Sequence, residues 1–312
     1  MTGIGLSARP GRAIALKLSS VFLFVVMSGL IKATSAEVPP GEAVFFRSFC
    51  AIPVIVAWLW VRGDLWQGLR TSWPMGHVWR GLIGTSAMGM TFAGLGILPL
   101  PEVTAIGYAT PIFTVILAAF MLGERIRMVR FGAVLVGLVG VLIMIWPRLG
   151  SGEGLQDTAA LGASLILGAT LARALVQIHV RRLVRTEHTA AIVFYFSLTA
   201  SALSLLTLPF GWTLPSPHTL ALLVTAGLLG GVAQILITSS YRYGPASMLA
   251  PFDYTSMLFA IVIGYVWFGE VPTAPMLTGA TLVIAANCLV IWREWRLGLD
   301  RAKARAVTDP KS

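Results

Sequence analysis

The residues with chemistry to offer lie inside long apolar stretches. Asp253 is the acidic group furthest from the end of any such stretch: it stands eight residues past Pro245, which is about 12 Å deep at roughly 1.5 Å per helical residue. An ionised carboxylate in hydrocarbon is expensive and normally faces a cavity or a partner, so Asp253 is the candidate to take up and release a proton. The alternative is a carboxylate hydrogen-bonded to irregular backbone beside Pro251. Tyr254 follows it, and Tyr108 stands 146 residues earlier in a similar setting. A tyrosine has an apolar face for stacking and a hydroxyl for orientation, which suits an amphipathic or aromatic solute; ordinary helix packing explains either ring equally well. Arg47 would hold an anionic or carbonyl group if it faces a cavity, and would reach for the interface otherwise. Arg173 lies closer to the end of its stretch and is expected to reach out. Gln177 and Gln234 could line a pathway or hydrogen-bond between helices. Pro111 and Pro251 each remove a backbone N–H and free the carbonyl four residues earlier, Gly107 and Ser247. Such breaks are tolerated at membrane depth where protein packs them or where they line a cavity.

Other chemistries find little support. Gly84-Thr85-Ser86-Ala87 is similar to the nucleophile segment of membrane-embedded serine proteases, but His77, His179, His188 and His218 all fall at or near the ends of apolar stretches. No second buried aspartate accompanies Asp253, no His-Glu-x-x-His occurs, and no Gly-x-x-x-x-Gly-Lys-Ser/Thr loop occurs. Cys50 and Cys288 are the only cysteines, each in an apolar setting, which argues against a disulfide framework or a zinc site. The expectation is no catalytic residue, no metal and no cofactor, with an intramembrane hydrolase as the alternative of another class.

Lipid must be the solvent for the elements that position these groups. The chain of 312 residues is 56% hydrophobic and only 12% charged, with a mean hydropathy of +0.82, where soluble domains carry about 25% charged residues. A helix needs about 20 mostly apolar residues to cross a bilayer. Ten such runs occur, near 13–31, 42–61, 75–97, 101–121, 128–146, 159–179, 190–210, 218–239, 245–268 and 275–292, joined by short linkers rich in Pro and Gly. The first reads as a span and not as a cleaved signal peptide, because nine similar runs follow it. With the N-terminus in the cytoplasm, 19 of the 23 Lys and Arg residues fall on the cytoplasmic side, as the positive-inside bias requires. Lys17 and Arg80 are counted among them. Tryptophans cluster near both sets of span ends, as interfacial belts do. The net charge of +10 is spread in short clusters, which reads as membrane orientation and not as a nucleic-acid footprint.

Within this pattern Pro99, Tyr108, Phe113, Gly123 and Glu124 recur as Pro245, Tyr254, Phe259, Gly269 and Glu270. The unit is five spans long, so the second copy enters the membrane from the opposite side. Inverted repeats of this kind underlie alternating access around a midplane site. On that relation the two tyrosine rings fall on opposite sides of the midplane.

The stretch Leu98-Pro99-Leu100-Pro101-Glu102-Val103-Thr104-Ala105-Ile106, with Thr110-Pro111-Ile112-Phe113 and Leu122-Gly123-Glu124-Arg125, resembles the fourth-helix signature of the EamA branch of the drug/metabolite transporter superfamily. Arg47 in Phe46-Arg47-Ser48-Phe49 is similar to an arginine those proteins carry in their second helix; the seventh span has no counterpart to it. The resemblance covers 13–292 and implies an all-α polytopic protein of ten helices. Its first five-helix repeat is expected at 13–146, its second at 159–292, and a basic cytoplasmic tail at 293–312. It further implies a secondary transporter of a small organic metabolite in a bacterial inner membrane, working without ATP hydrolysis. Riboflavin is the first substrate expectation; S-adenosylmethionine, amino acids or other metabolites, exported or imported, are the alternatives. The expected partners are a small solute and the bilayer, with no nucleic acid, and the chain is expected to act as a monomer, a homodimer being the alternative.

Overall fold

A backbone in lipid must satisfy its own hydrogen bonds, and among the described residues every regular element is helical. The structure, a computed structural model, describes residues 10–122, 128–149, 155–183, 186–243 and 249–308. Gly123, Glu124, Arg125, the Gly150-Ser151-Gly152 linker, Gly244-Pro245 and Ser247 lie outside the described residues.

The first part of the chain forms α1 (Pro10–Thr34), α2 (Pro40–Phe49), α3 (Ala51–Val61), the short α4 (Leu65–Leu69), α5 (Pro74–Ile97), α6 (Leu100–Gly107), α7 (Thr110–Leu122) and α8 (Met128–Leu149). There follow α9 (Leu155–Leu183), α10 (Thr189–Leu205), α11 (Pro217–Tyr243), a 3₁₀ turn at Ala250–Tyr254, α12 (Thr255–Phe268) and α13 (Ala274–Thr308). Six helical segments are long and apolar enough to cross a membrane: Gly11–Thr34, Pro40–Val61, Leu100–Leu117, Thr158–Val180, Pro217–Ser240 and Ala274–Arg293. Gly132–Pro147, Ala190–Leu205 and Phe252–Phe268 are apolar but shorter. The last helix does not stop at the membrane; it continues through the basic tail to Thr308.

Local sequence explains where the helices begin and break. Proline opens α1, α2, α5 and α11, where its missing N–H costs nothing. Pro53 and Pro111 sit just inside α3 and α7 and coincide with the interruptions at Cys50 and at Tyr108–Ala109. Gly269, at φ 64°, ends α12 in the left-handed conformation while the Glu270 N–H returns to the Gly264 carbonyl at 3.0 Å.

The packing is built from close helix pairs, α1 on α11, α5 on α9 and α8 on α13. The last pair touches backbone to backbone, because a methyl group on Gly140 would lie 2.7 Å from the Gly279 carbonyl oxygen. Gly137 likewise admits Ile112, whereas a side chain on Gly132 would meet open space; that glycine is not a packing residue.

Two polar ties hold opposite ends of the bundle. Lys32, at the end of α1, pairs with Glu270 at 3.0 Å and donates to the carbonyls of Leu95 and Leu98 at 3.1 and 2.7 Å. The other Glu270 oxygen accepts the Leu100 N–H at 2.8 Å. At the opposite end Glu187, just before α10, accepts the N–H groups of Ser72 and Trp73 and the Ser72 hydroxyl at 2.7 to 2.8 Å, with His77 at 3.3 Å. Burial alone would raise its carboxyl pKa, but those hydrogen bonds outweigh burial and hold it at about 2 against an ordinary 4.5.

A depressed carboxylate contributes stability that is complete above its ordinary value and is lost as pH falls from about 4.5 toward 2. Detergent-solubilised protein should therefore lose melting temperature in acid, and Glu187→Gln should melt lower at neutral pH with a flatter acid arm. Parallel acid arms for the two proteins would show that this tie does not carry the effect.

Candidate functional site: a charged cavity at the seam of the bundle

The break between α6 and α7 and the 3₁₀ turn before α12 face each other across a cavity of about 480 Å³. Its other walls come from the first third of α1, the start of α8, the latter parts of α9 and α11 and the middle of α13. These segments meet at one end of the bundle, opposite the Lys32–Glu270 tie. The volume falls within the range of about 300–1,000 Å³ found for small-molecule sites.

Each wall follows from local sequence. Pro111 deprives the Gly107 carbonyl of its helical donor, and the Thr110 hydroxyl supplies the missing bond at 2.8 Å. This lets the chain turn at Tyr108 without an orphaned carbonyl. The Tyr108 carbonyl accepts the Asn287 amide at 3.2 Å. Ser256 spends its single proton on the Asp253 carbonyl at 2.7 Å, so in the 2.7 Å contact between the two hydroxyls Tyr108 is the donor. The Tyr254 carbonyl lies 3.2 Å from the same hydroxyl. The two rings meet edge to face with centroids 5.2 Å apart. Tyr108 is therefore committed to holding the seam, while the Tyr254 hydroxyl has no protein partner among the described residues.

Asp253 has both a cavity and a partner, the two settings expected for it from sequence. Its side chain is 51% exposed and pairs at 2.6 Å with Lys17, which is itself only 1% exposed. The carboxylate is thus deep in the chain's apolar register yet wetted by the cavity and bound to a cation. Gln177 lines the same cavity, with its side-chain amide 2.9 Å from the Thr114 hydroxyl. Arg173, expected at the interface, instead lines the cavity.

Two candidates lie elsewhere. Arg47 is buried where α2 packs against α10 and α11, with its guanidinium 5.9 Å from the Phe196 ring centre and its Nε without a hydrogen-bond partner. Gln234 is on the face of α11 turned to Ile55 and Trp58 of α3, and it is Ile237 of that helix that reaches the cavity. Pro251 is the second residue of the 3₁₀ turn. Sequence reasoning left Ser256 and Asn287 unassigned and gave Lys17 and Arg173 places away from a site. Asn287 carried a usable signal, a lone amide well inside an apolar run; Lys17, near a helix start, looked like a loop cation. Among the described residues no three His, Cys, Asp or Glu side chains gather where a metal could bind.

With this geometry in place, comparison with known proteins adds the family. The EamA-like transporter family matches the chain twice, over residues 11–146 and 160–292. The chain belongs to that family. The pseudopaline exporter CntI of Pseudomonas aeruginosa is 30% identical over 90% of this chain and 95% of its own length. The S-adenosylmethionine uptake transporter of Rickettsia prowazekii is 30% identical over 81% and 83%, and a riboflavin transporter of Rhizobium johnstonii 28% identical over 65% and 66%. One crystal structure matches with a TM-score of 0.64 at 20% identity, covering 92% of this chain and 99% of that one, which establishes the fold alone. This member of the EamA-like family is a multi-pass membrane protein whose relatives are named transporters and exporters, not enzymes.

The Lys17–Asp253 pair makes a direct test of the site's geometry. Lys17→Met and Asp253→Asn should each lower the melting temperature of the solubilised protein, and the double variant should lose clearly less than the sum, since both single changes remove the same ion pair. Additive losses would mean the two side chains do not depend on each other.

Proposed function

We propose that the chain is a secondary carrier that moves a small organic metabolite by alternating access, and that it is built from two inverted five-helix repeats, 13–146 and 159–292, followed by the tail at 293–312. On this reading α5 and the three shorter apolar helices complete ten spans. The observation that carries the proposal is the polarity of the bundle: one end holds the cavity, and the other is shut by Lys32 and Glu270 joining the ends of α1, α5 and α12. A carrier needs one site that opens to each side in turn, and this is the arrangement with one side closed.

The basic residues favour a bacterial inner membrane with both termini cytoplasmic, so the cavity end faces the cytoplasm. A cytoplasmically active reporter joined after Gly63, an exposed turn residue between α3 and α4, should then be active. Activity only of a periplasmic reporter at that point would reverse the orientation.

Riboflavin, exported or imported, remains the first substrate on the strength of the aromatic wall, where stacking on tyrosine contributes about 0.5–1.5 kcal/mol beyond burial. The named relatives differ in solute, so the family alone does not choose among them. Asp253 is the coupling candidate. It pairs with Lys17 and half of its side chain is exposed, so a change at this carboxylate changes the charge of the cavity. In liposomes, wild-type protein should move riboflavin, and an imposed proton gradient should concentrate it. Asp253→Asn should abolish concentration while exchange of labelled for unlabelled solute persists. Absence of riboflavin flux in either direction would remove the vitamin, and an Asn variant that still concentrates solute would remove Asp253 from coupling.

A further inference from the structure

The cavity lining carries an unbalanced charge. Its side chains that are cationic or anionic at neutral pH are Lys17, Arg173 and Asp253, and the first and last neutralise each other at 2.6 Å. Arg173 is left over. It stands ten residues before the end of α9 at Leu183, about 15 Å from that end at 1.5 Å per residue. Among the described residues it has no carboxylate partner. Its Nε donates to the Ala169 carbonyl of its own helix at 3.3 Å, while its Nη2 is buried with no hydrogen-bond partner. A guanidinium is permanently charged, and one left uncompensated at membrane depth is costly unless a cavity brings it water or a counterion.

The local backbone keeps the guanidinium against the helix break. A side chain on Gly107 would begin 3.8 and 3.9 Å from Nη2 and Nη1, which puts the guanidinium in contact range of the turn that Pro111 creates. Planar paired N–H donors match the two oxygens of a carboxylate or phosphate. Nearby on the same lining are the Tyr254 ring and hydroxyl and the Gln177 amide, an apolar face with two further polar groups.

We infer that the cavity takes a solute bearing a carboxylate or phosphate group, held by Arg173, with an aromatic or apolar portion on Tyr254; this rests on the transport reading for its purpose but not for its test, and because riboflavin bears neither group it sets an anionic metabolite ahead of the vitamin as the solute. The same surplus charge disfavours a purely cationic solute, which would meet Arg173 without a free carboxylate to offset it. Arg47, the arginine singled out in the sequence, has no part in the site.

Three probes of nearly one shape separate charge from size: indole-3-acetate, indole-3-acetamide and tryptamine. Added at millimolar concentration to purified full-length protein in phosphatidylcholine nanodiscs, indole-3-acetate should raise the melting temperature more than the amide, and tryptamine least. Arg173→Gln should erase the preference, and Arg173→Lys, which keeps the charge without the fork, should restore part of it. Equal effects of the three probes on the wild type would overturn the inference, as would a preference that survives in Arg173→Gln. Because the wild-type comparison needs no variant, misfolding of either substitution leaves the test intact. Replacing part of the lipid by phosphatidylglycerol decides the source of the anion: a persistent indole-3-acetate effect supports a solute, and its complete loss would assign Arg173 to a lipid headgroup and sink the solute site. Anion binding without any flux would fail the transport reading alone, and flux without anion preference would fail this inference alone.

Discussion

Hydrocarbon offers no hydrogen bond to a carbonyl or an N–H left over at a helix break, and the irregular parts of this chain are arranged around that constraint. Pro111 opens α7, and the Thr110 hydroxyl closes the gap at Gly107. Where α5 ends and α6 begins, the Lys32 ammonium takes the carbonyls of Leu95 and Leu98 and the Glu270 carboxylate takes the Leu100 N–H. The cation and anion that cap the break also bind each other. Opening that end therefore means parting an ion pair and uncovering three backbone groups in one step. A closure made this way breaks as a unit.

The cavity end solves the same problem with water and with pairing. Lys17 is buried among helices and would be intolerable alone; Asp253 reaches it from the 3₁₀ turn while keeping half its side chain in the cavity. Tyr108 fastens the break of the first half of the chain to the start of α12 in the second through Ser256 and the Tyr254 carbonyl. The seam is thus a hydrogen-bonded contact between two irregular stretches, and the cavity lies against it.

Much of this was legible in the sequence because it depends on composition and on single residue types. Apolar runs, proline breaks, the paired tyrosines and a lone deep aspartate can be read without knowing how helices face one another. What sequence did not reveal is facing. Arg47 and Arg173 both sit in apolar runs with nothing local to distinguish them, and only packing turns one toward Phe196 and the other toward the cavity. Lys17 and Arg80 fell near helix starts and counted as loop cations, yet one is buried against Asp253 and the other lies 3.8 Å from the Phe196 ring centre. The positive-inside argument tolerates such errors because it sums many residues, whereas the assignment of a site does not.

The proposed repeat explains one further asymmetry. Glu37, just before α2, accepts the Thr219 hydroxyl at the start of α11 at 2.6 Å, much as Glu187, just before α10, receives the start of α5. A carboxylate at a helix N-terminus is favourable in either setting, and the two ties sit at corresponding places in the two halves. Arg47 is the eighth residue of α2 and Phe196 the eighth of α10, so under the same correspondence the arginine and the ring are counterparts that face each other. Arg80 stacks on that ring as well, and the two guanidiniums share one aromatic face system with no carboxylate among the described residues. A cation over a desolvated ring gains about 2 kcal/mol, too little to offset two buried charges alone. The polar atoms of Arg47 and Arg80 that lack partners are accordingly most costly in this arrangement, and any state of the bundle that admits water between α2, α5 and α10 relieves them. The buried arginines thus work against the packing of α2, α5 and α10, while Lys32 and Glu270 hold the opposite end together.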